Sequence, residues 1–128
     1  MVFDMKLNRE PFESLARGEK SVELRLFDDK RQQLNIGDYI IFTSLSETRE
    51  RTAFQITALY RYATFEDLFM EINPKDCGFG VDSSAEELAK EMKRYYSEEQ
   101  IQHFGVLGIR LKKASLEHVE CIKPLEQG

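Results

Sequence analysis

Hydrophobic and polar residues alternate along two segments in the first half of the chain, and a short apolar run after a turn at residues 36–38 lies between them, which predicts three β-strands. In the first, at residues 20–26, apolar side chains occupy one face, while Glu23 and Arg25 share the other. The second and third strands are predicted at residues 39–43 and 52–62. Each segment has one face suited to a core.

Apolar residues spaced three and four apart predict helices around these strands. A short helix is expected at residues 9–17, with Pro11 in its first turn. Two more are expected at residues 64–72 and 84–95, and Ser97 then starts a further helical turn. The helices therefore follow the first three strands or flank them.

Two segments near the end of the chain complete the pattern. The apolar run 105–111 predicts a buried strand, and residues 116–122 are a candidate for one added strand. Strands that cluster before and after a helical insert are typical of an α+β fold, and not of repeated βαβ units. We expect a small barrel with helices at one side.

Length and composition agree with one globular domain. The chain has 128 residues, of which 41% are hydrophobic and 32% are charged. No apolar run approaches the roughly 18 residues that a membrane span needs, so no membrane association is expected. Because Cys77 and Cys121 lie in no CxxC pair, we expect a cytoplasmic protein.

Charge is distributed unevenly along the sequence. The formal net charge of -5 argues against a protein that coats nucleic acid by bulk electrostatics. However, residues 64–100 contain ten acidic and four basic residues, whereas residues 6–31 contain six acidic and seven basic ones. The first third of the chain can therefore hold a local basic site.

Motifs for the common enzyme chemistries are missing from the sequence. It contains no GxxxxGK[ST], GxGxxG, HExxH or GxSxG string, so nucleotide hydrolysis, dinucleotide binding, zinc proteolysis and serine hydrolysis have no support. His103 and His118 lack metal-ligand spacing with the two cysteines. No metal site and no cofactor are predicted.

The string G-x-K-x-x-E-x-R, from Gly18 to Arg25, is the feature with the clearest chemical potential. It runs from a helix end into a strand, so Glu23 and Arg25 share a strand face and the Lys20 stem can bend over that face. Three ionisable groups can then converge on one site. An ordinary ion pair at a strand edge explains the spacing equally well.

This string, together with residues 36–42, 95–96 and 105–109, resembles the ASCH domain family, which is similar to the PUA barrels of RNA-modifying proteins. The similarity covers roughly residues 3 to 112, so residues 1–112 are predicted to form the domain and residues 113–128 a C-terminal extension. The resemblance implies a small, mostly antiparallel PUA-like β-barrel with flanking helices. It also implies an RNA or nucleoside site in a polar cleft lined by the motif.

Two functions follow from the resemblance, and the first is binding. Its partner would be single-stranded RNA or a modified nucleoside, and the oligomeric state stays open. Phosphate would meet basic side chains, namely Lys20, Arg25, Lys30 and Arg31. An unpaired base would stack on an aromatic ring, either Tyr95 or Phe79. Lys30 and Arg31 are equally well explained as a solvated loop balanced by its neighbouring aspartates.

The alternative function is a small amidohydrolase. Some bacterial members of the family hydrolyse the acetyl amide of N4-acetylcytidine with a lysine, a threonine and a more distant glutamate. Lys20 fits the lysine as a base, but Glu23 stands where that subgroup has threonine, and residues 76–80 contain no glutamate. If the protein is an enzyme, Lys20 and Glu23 are its catalytic centre. We expect hydrolysis to be slow or absent and binding to be the main activity.

Overall fold

The computed structural model describes residues 1–80 and 82–127, which form a five-stranded mixed sheet shaped as a half-barrel with five flanking helices. The strands are β1 (Val2–Leu7), β2 (Val22–Leu26), β3 (Tyr39–Ser44), β4 (Arg51–Tyr62) and β5 (Val106–Ala114). The helices are α1 (Arg9–Ala16), α2 (Phe65–Glu71), α3 (Ala85–Met92), α4 (Glu98–Phe104) and α5 (Leu116–Gln127). Two 3-10 turns lie at Arg31–Gln33 and Pro74–Cys77.

The strand order β1-β3-β4-β5-β2 leaves β1 and β2 as the two edges of the half-barrel. Neighbouring strands are antiparallel except for β1, which runs parallel to β3 with Val2 beside Tyr39. This architecture confirms the predicted α+β class and the mostly antiparallel sheet. The gap between the two edges is where the motif residues lie.

Helices cover both faces of the sheet because each strand alternates its side chains between them. One face packs against α1 through Phe12 and Leu15, which join a buried cluster with residues of β1, β3, β4 and β5. The opposite face packs against α2, α3 and α4 near β2 and against α5 near β3. Every residue of β2 except Arg25 is buried.

The predicted elements are present apart from two differences at the ends of the chain. Residues 2–7 form β1, which the sequence analysis did not predict. Residues 116–122, the candidate for an added strand, belong instead to α5. The Ser115 hydroxyl accepts a hydrogen bond from the His118 amide at 3.3 Å, and Val119 is buried against Ile41 and Ala53. As a helix, this segment forms its backbone hydrogen bonds internally and packs Val119 against the sheet. An added strand at the edge of the sheet would leave the backbone groups on its outer side without partners in the sheet.

None of the helices described over residues 1–80 and 82–127 combines the length and apolarity that crossing a bilayer requires.

Candidate functional site

Strand β2 and the turn before it deliver the motif to the α1 face of the sheet. Gly18 ends α1 with a φ of 78°, a left-handed conformation that glycine adopts without strain. The chain then enters β2, where Val22, Leu24 and Leu26 pack beneath the helices of the opposite face. Glu23 consequently points to the α1 face, paired in register with the buried Ile109.

Lys20, Glu23 and Arg25 form a buried charged cluster that we call the triad. Lys20 Nζ donates to Glu23 Oε1 at 2.7 Å, and Arg25 Nε donates to Glu23 Oε2 at 2.9 Å. The side chains of Glu23, Lys20 and Arg25 are only 4%, 10% and 17% exposed. The three groups converge as their spacing suggests, and two cations around one carboxylate leave a net charge of +1.

Glu23 stays ionised despite its burial. Burial opposes the charged form, but attraction to Lys20 and Arg25, together with their hydrogen bonds, outweighs it and lowers the pKa of the Glu23 carboxyl below its ordinary value. A carboxylate that is held in its charged form can accept hydrogen bonds but is a weak proton acceptor in catalysis.

Arg25 also connects the two edges of the half-barrel. Its Nη2 donates to the Lys6 carbonyl oxygen at 3.0 Å, so a side chain links β2 to β1. In a closed barrel, these two edge strands would instead be joined by backbone hydrogen bonds. Above this link opens a cavity of about 830 Å³, which we call the triad cleft. Its walls come from residues 6–11, where β1 leads into α1, from residues 77–79, and from Met92 at the end of α3 with Tyr95 and Tyr96 just after it.

The charge of the triad cleft is opposite to that of the whole chain. Among the described residues, five basic and three acidic side chains line it: Lys6, Arg9, Arg17, Lys20 and Arg25 against Glu10, Glu19 and Glu23. The chain as a whole carries -5. The cleft therefore provides a local attraction for an anionic group within an acidic protein.

Aromatic side chains form one wall of the cleft. Tyr95 is 66% exposed. Tyr96 is half-buried and stacks on Phe65 with ring centroids 6.0 Å apart, and Phe79 meets Phe69 edge to face at 5.6 Å. Tyr96 and Phe79 are thus held by the core, while Tyr95 presents its ring to solvent at the rim.

A loop distant in sequence holds Lys20 in place; the sequence analysis offered its Phe79 as a stacking residue but did not predict its contacts with Lys20 and Ser21. The Ser21 amide donates to the Asp76 carbonyl oxygen at 2.8 Å, and Arg110 Nη2 donates to Asp76 Oδ2 at 3.3 Å. Gly78, with a φ of 91°, lies against the Lys20 stem, where a Cβ would be in ordinary van der Waals contact, 3.4 Å from Lys20 Cδ. The two glycines around Phe79 were the sequence signal for this loop.

Lys30 and Arg31 lie apart from the triad. Lys30 is exposed, and Arg31 Nη1 donates to Asp28 Oδ2 at 3.2 Å. Neither is among the described residues that line the triad cleft, whereas the predicted ligand residues Lys20, Glu23, Arg25 and Tyr95 all line it.

Residues able to hold a metal ion are not clustered in the part of the chain that the structure describes. Over residues 1–80 and 82–127, no group of three or more histidine, cysteine, aspartate or glutamate side chains is arranged to bind one. Cys77 lines the cleft, but burial raises the pKa of its thiol to about 12, which keeps it protonated near neutral pH.

Comparison with known structures identifies two similar chains of almost equal length. Hypothetical protein PH0355 is 30% identical, with a TM-score of 0.77 over 89% of this chain and 100% of its own. Protein PF0455 from Pyrococcus furiosus is 29% identical, with a TM-score of 0.70 over 90% of this chain and 99% of its own.

A more distant match shows the fold alone. A mutant of ZmASCH from Zymomonas mobilis is 11% identical, with a TM-score of 0.53 over 94% of this chain and 78% of its own. No curated protein matches the sequence. The family model for the ASCH domain matches residues 5–115, slightly beyond the expected boundary at 112, and the chain therefore belongs to the ASCH domain family.

Proposed function

We propose that this protein binds single-stranded RNA, or a nucleoside derived from it, in the triad cleft. The observation that carries the proposal is the net positive charge of the buried triad beside an exposed aromatic ring. A phosphate neutralises that charge, and Tyr95 offers a face on which an unpaired base stacks. The RNA-binding character of the ASCH family supports the same proposal.

Each triad member has a distinct role in this proposal. Lys20 and Arg25 donate hydrogen bonds to phosphate oxygens, since an ammonium has three N–H groups and a guanidinium five, more than the bonds to Glu23 and Lys6 use. Glu23 orients both cations from beneath. Its carboxylate also prevents the site from accumulating two uncompensated buried charges.

The protein would act in the cytoplasm, where RNA is available. Its two free cysteines, Cys77 and Cys121, are compatible with a reducing compartment. Fold similarity alone does not determine the ligand, so the test has to be made on the site itself.

The test is a salt titration of binding to a labelled single-stranded RNA, measured by fluorescence anisotropy. In the variant Lys20→Met, which keeps the stem over Gly78, affinity should fall by about 1–3 kcal/mol, the value of a charge-assisted hydrogen bond. The slope of log affinity against log salt should decrease by about 0.7, the effect of one lost phosphate contact on a single strand.

The matched control is Lys112→Ala, which removes an equal charge from an exposed position of β5 that is not among the described lining residues of the cleft. Lys30→Ala serves as a second control, because Lys30 is exposed and is not among the described lining residues of the cleft. Equal losses of affinity in Lys20→Met and Lys112→Ala would contradict the proposed site. Tight binding of a neutral nucleoside without salt dependence would point to the nucleoside itself as the ligand.

A further inference from the structure

A second cavity adjoins the triad cleft on the other side of the α1 N-terminus. This hairpin groove, as we call it, has a volume of about 720 Å³ and lies between α1 and the turn that connects β3 to β4. The two cavities share three lining residues, Asn8, Arg9 and Leu45. A ligand longer than one unit can therefore pass from one cavity to the other over this common wall.

Hydroxyl groups line the floor of the hairpin groove in a connected series. Ser44 Oγ donates to Ser46 Oγ at 2.9 Å, and Ser46 Oγ lies 3.0 Å from Thr48 Oγ1. Thr48 Oγ1 in turn lies 3.5 Å from a Glu50 carboxylate oxygen. Ser44 is buried, whereas Ser46 is half-buried and Thr48 is exposed. Hydroxyls of this kind donate and accept, so they suit ribose hydroxyls and the edges of bases.

The charge of the hairpin groove excludes a second phosphate. Among the described lining residues, Arg9 faces three carboxylates, those of Glu13, Glu47 and Glu50. Arg9 Nε already donates to Glu13 Oε1 at 3.0 Å. The triad cleft has the opposite balance, so the two cavities together offer one site for an anion and one for a neutral polar group.

We infer that the hairpin groove is a second nucleoside subsite, occupied by the ribose and base next to the phosphate held at the triad. Each cavity has the size of a site for one small ligand, about 300–1,000 Å³, so their union exceeds what a single nucleoside fills. The inference rests on the proposed function and makes it more specific. The natural ligand is then an RNA of two or more nucleotides, and a free nucleoside occupies only part of the site.

The experiment compares two ligands that each carry one singly charged phosphodiester, adenosine 3′-(methyl phosphate) and the dinucleoside monophosphate ApA, by calorimetric or NMR titration. ApA should bind at least about fivefold more tightly, the lower value expected for stacking or packing one more base. Its affinity should depend on salt no more steeply, because the added nucleoside carries no phosphate.

The variant Ser46→Ala/Thr48→Val removes the two accessible hydroxyls and should lower the ratio of the two affinities by about threefold or more, equivalent to one lost hydrogen bond. Thr57→Val is the matched control, since Thr57 is an exposed hydroxyl on β4 outside the described lining of the groove.

Equal binding of the two ligands by the wild type, or a ratio unchanged in the double variant, would refute the second subsite and leave the proposed function intact. Failure of both ligands to bind, or binding that does not depend on Lys20, would refute the proposed function and this inference with it.

Discussion

Removal of the Lys20 ammonium should destabilise the fold, because it leaves a buried carboxylate with one partner in place of two. In Lys20→Met, Glu23 keeps only Arg25, at 2.9 Å, and loses a contact of 2.7 Å while staying 4% exposed. Loss of one partner from a buried pair costs about 3–5 kcal/mol of unfolding free energy. Because Glu23 keeps its Arg25 contact, we expect a loss at the lower end of this range, about 3 kcal/mol. This is a large part of the 5–15 kcal/mol by which domains are typically stable.

The loss should depend on pH in a defined direction. The folded pKa of Glu23 is lowered from 4.5, so its contribution to stability is fully present above that value and is lost as the pH falls through the folded pKa. Lys20→Met raises the folded pKa, since burial is then opposed by Arg25 alone. The difference in unfolding free energy between wild type and variant should therefore be largest at neutral pH and shrink below about pH 4.5.

Denaturant unfolding at about pH 7 and about pH 4 measures both effects, and a second substitution separates charge from packing. In Lys20→Met/Glu23→Gln the buried carboxylate is gone, while the amide oxygen still accepts from Arg25 and Arg25 keeps its bond to the Lys6 carbonyl, so part of the lost stability should return. RNA binding should not return, because the ammonium is still missing. A loss below about 1 kcal/mol in Lys20→Met, or an equal loss at both pH values, would refute the buried-pair reasoning.

Three further outcomes are expected. Gly78→Ala should cost about 1–2 kcal/mol in urea unfolding and weaken RNA binding, because it forces a φ of 91° on alanine in the loop that packs on the Lys20 stem, whereas Gly80→Ala, with open space around it, should change neither. Cys77 should resist iodoacetamide in mass-spectrometric labelling while the exposed Cys121 reacts; fast labelling of Cys77 would contradict its burial. The protein should not hydrolyse N4-acetylcytidine, as measured by chromatography, because the Lys20 ammonium and the Glu23 carboxylate, whose pKa is lowered, are bonded to each other. Hydrolysis by the wild type that is lost in Lys20→Met would establish the amidohydrolase instead.

The sequence predicted those features that depend on neighbours in the chain. Alternation in residues 20–26 correctly placed Glu23 and Arg25 on one strand face, and hydroxyl-to-acid spacing located the starts of α2 and α3. It also contained an unused signal for β1, where Phe3, Met5 and Leu7 alternate with Asp4 and Lys6. Six residues at a chain end are weak evidence without their partner, and β1 pairs with a strand more than thirty residues away.

Residue spacing in the sequence could not predict the features that depend on contacts between distant residues. Alternation placed Glu23 on the polar face of β2, yet Glu23 is only 3% exposed, enclosed by its two cationic partners. Likewise, Asp76 is tied to the site by its contacts with Ser21 and Arg110, which span 34 or more positions. A local pattern reports which face a residue occupies, but the tertiary fold decides what covers that face.

Burying the charges of the triad costs desolvation free energy, so the reason for the cluster has to be sought in its position in the fold. Well-packed apolar residues in place of a buried ion pair are often equally stable or more so, so stability alone is a weak reason for a buried Lys–Glu–Arg cluster. The cluster lies where β1 and β2 fail to pair, and Arg25 crosses that gap to Lys6 with a side chain. A continued strand ladder would close the barrel and leave no room for the cleft. The charged crossing keeps the edges together while leaving N–H donors of Lys20 and Arg25 facing the cleft, which is the arrangement that the proposed phosphate site requires.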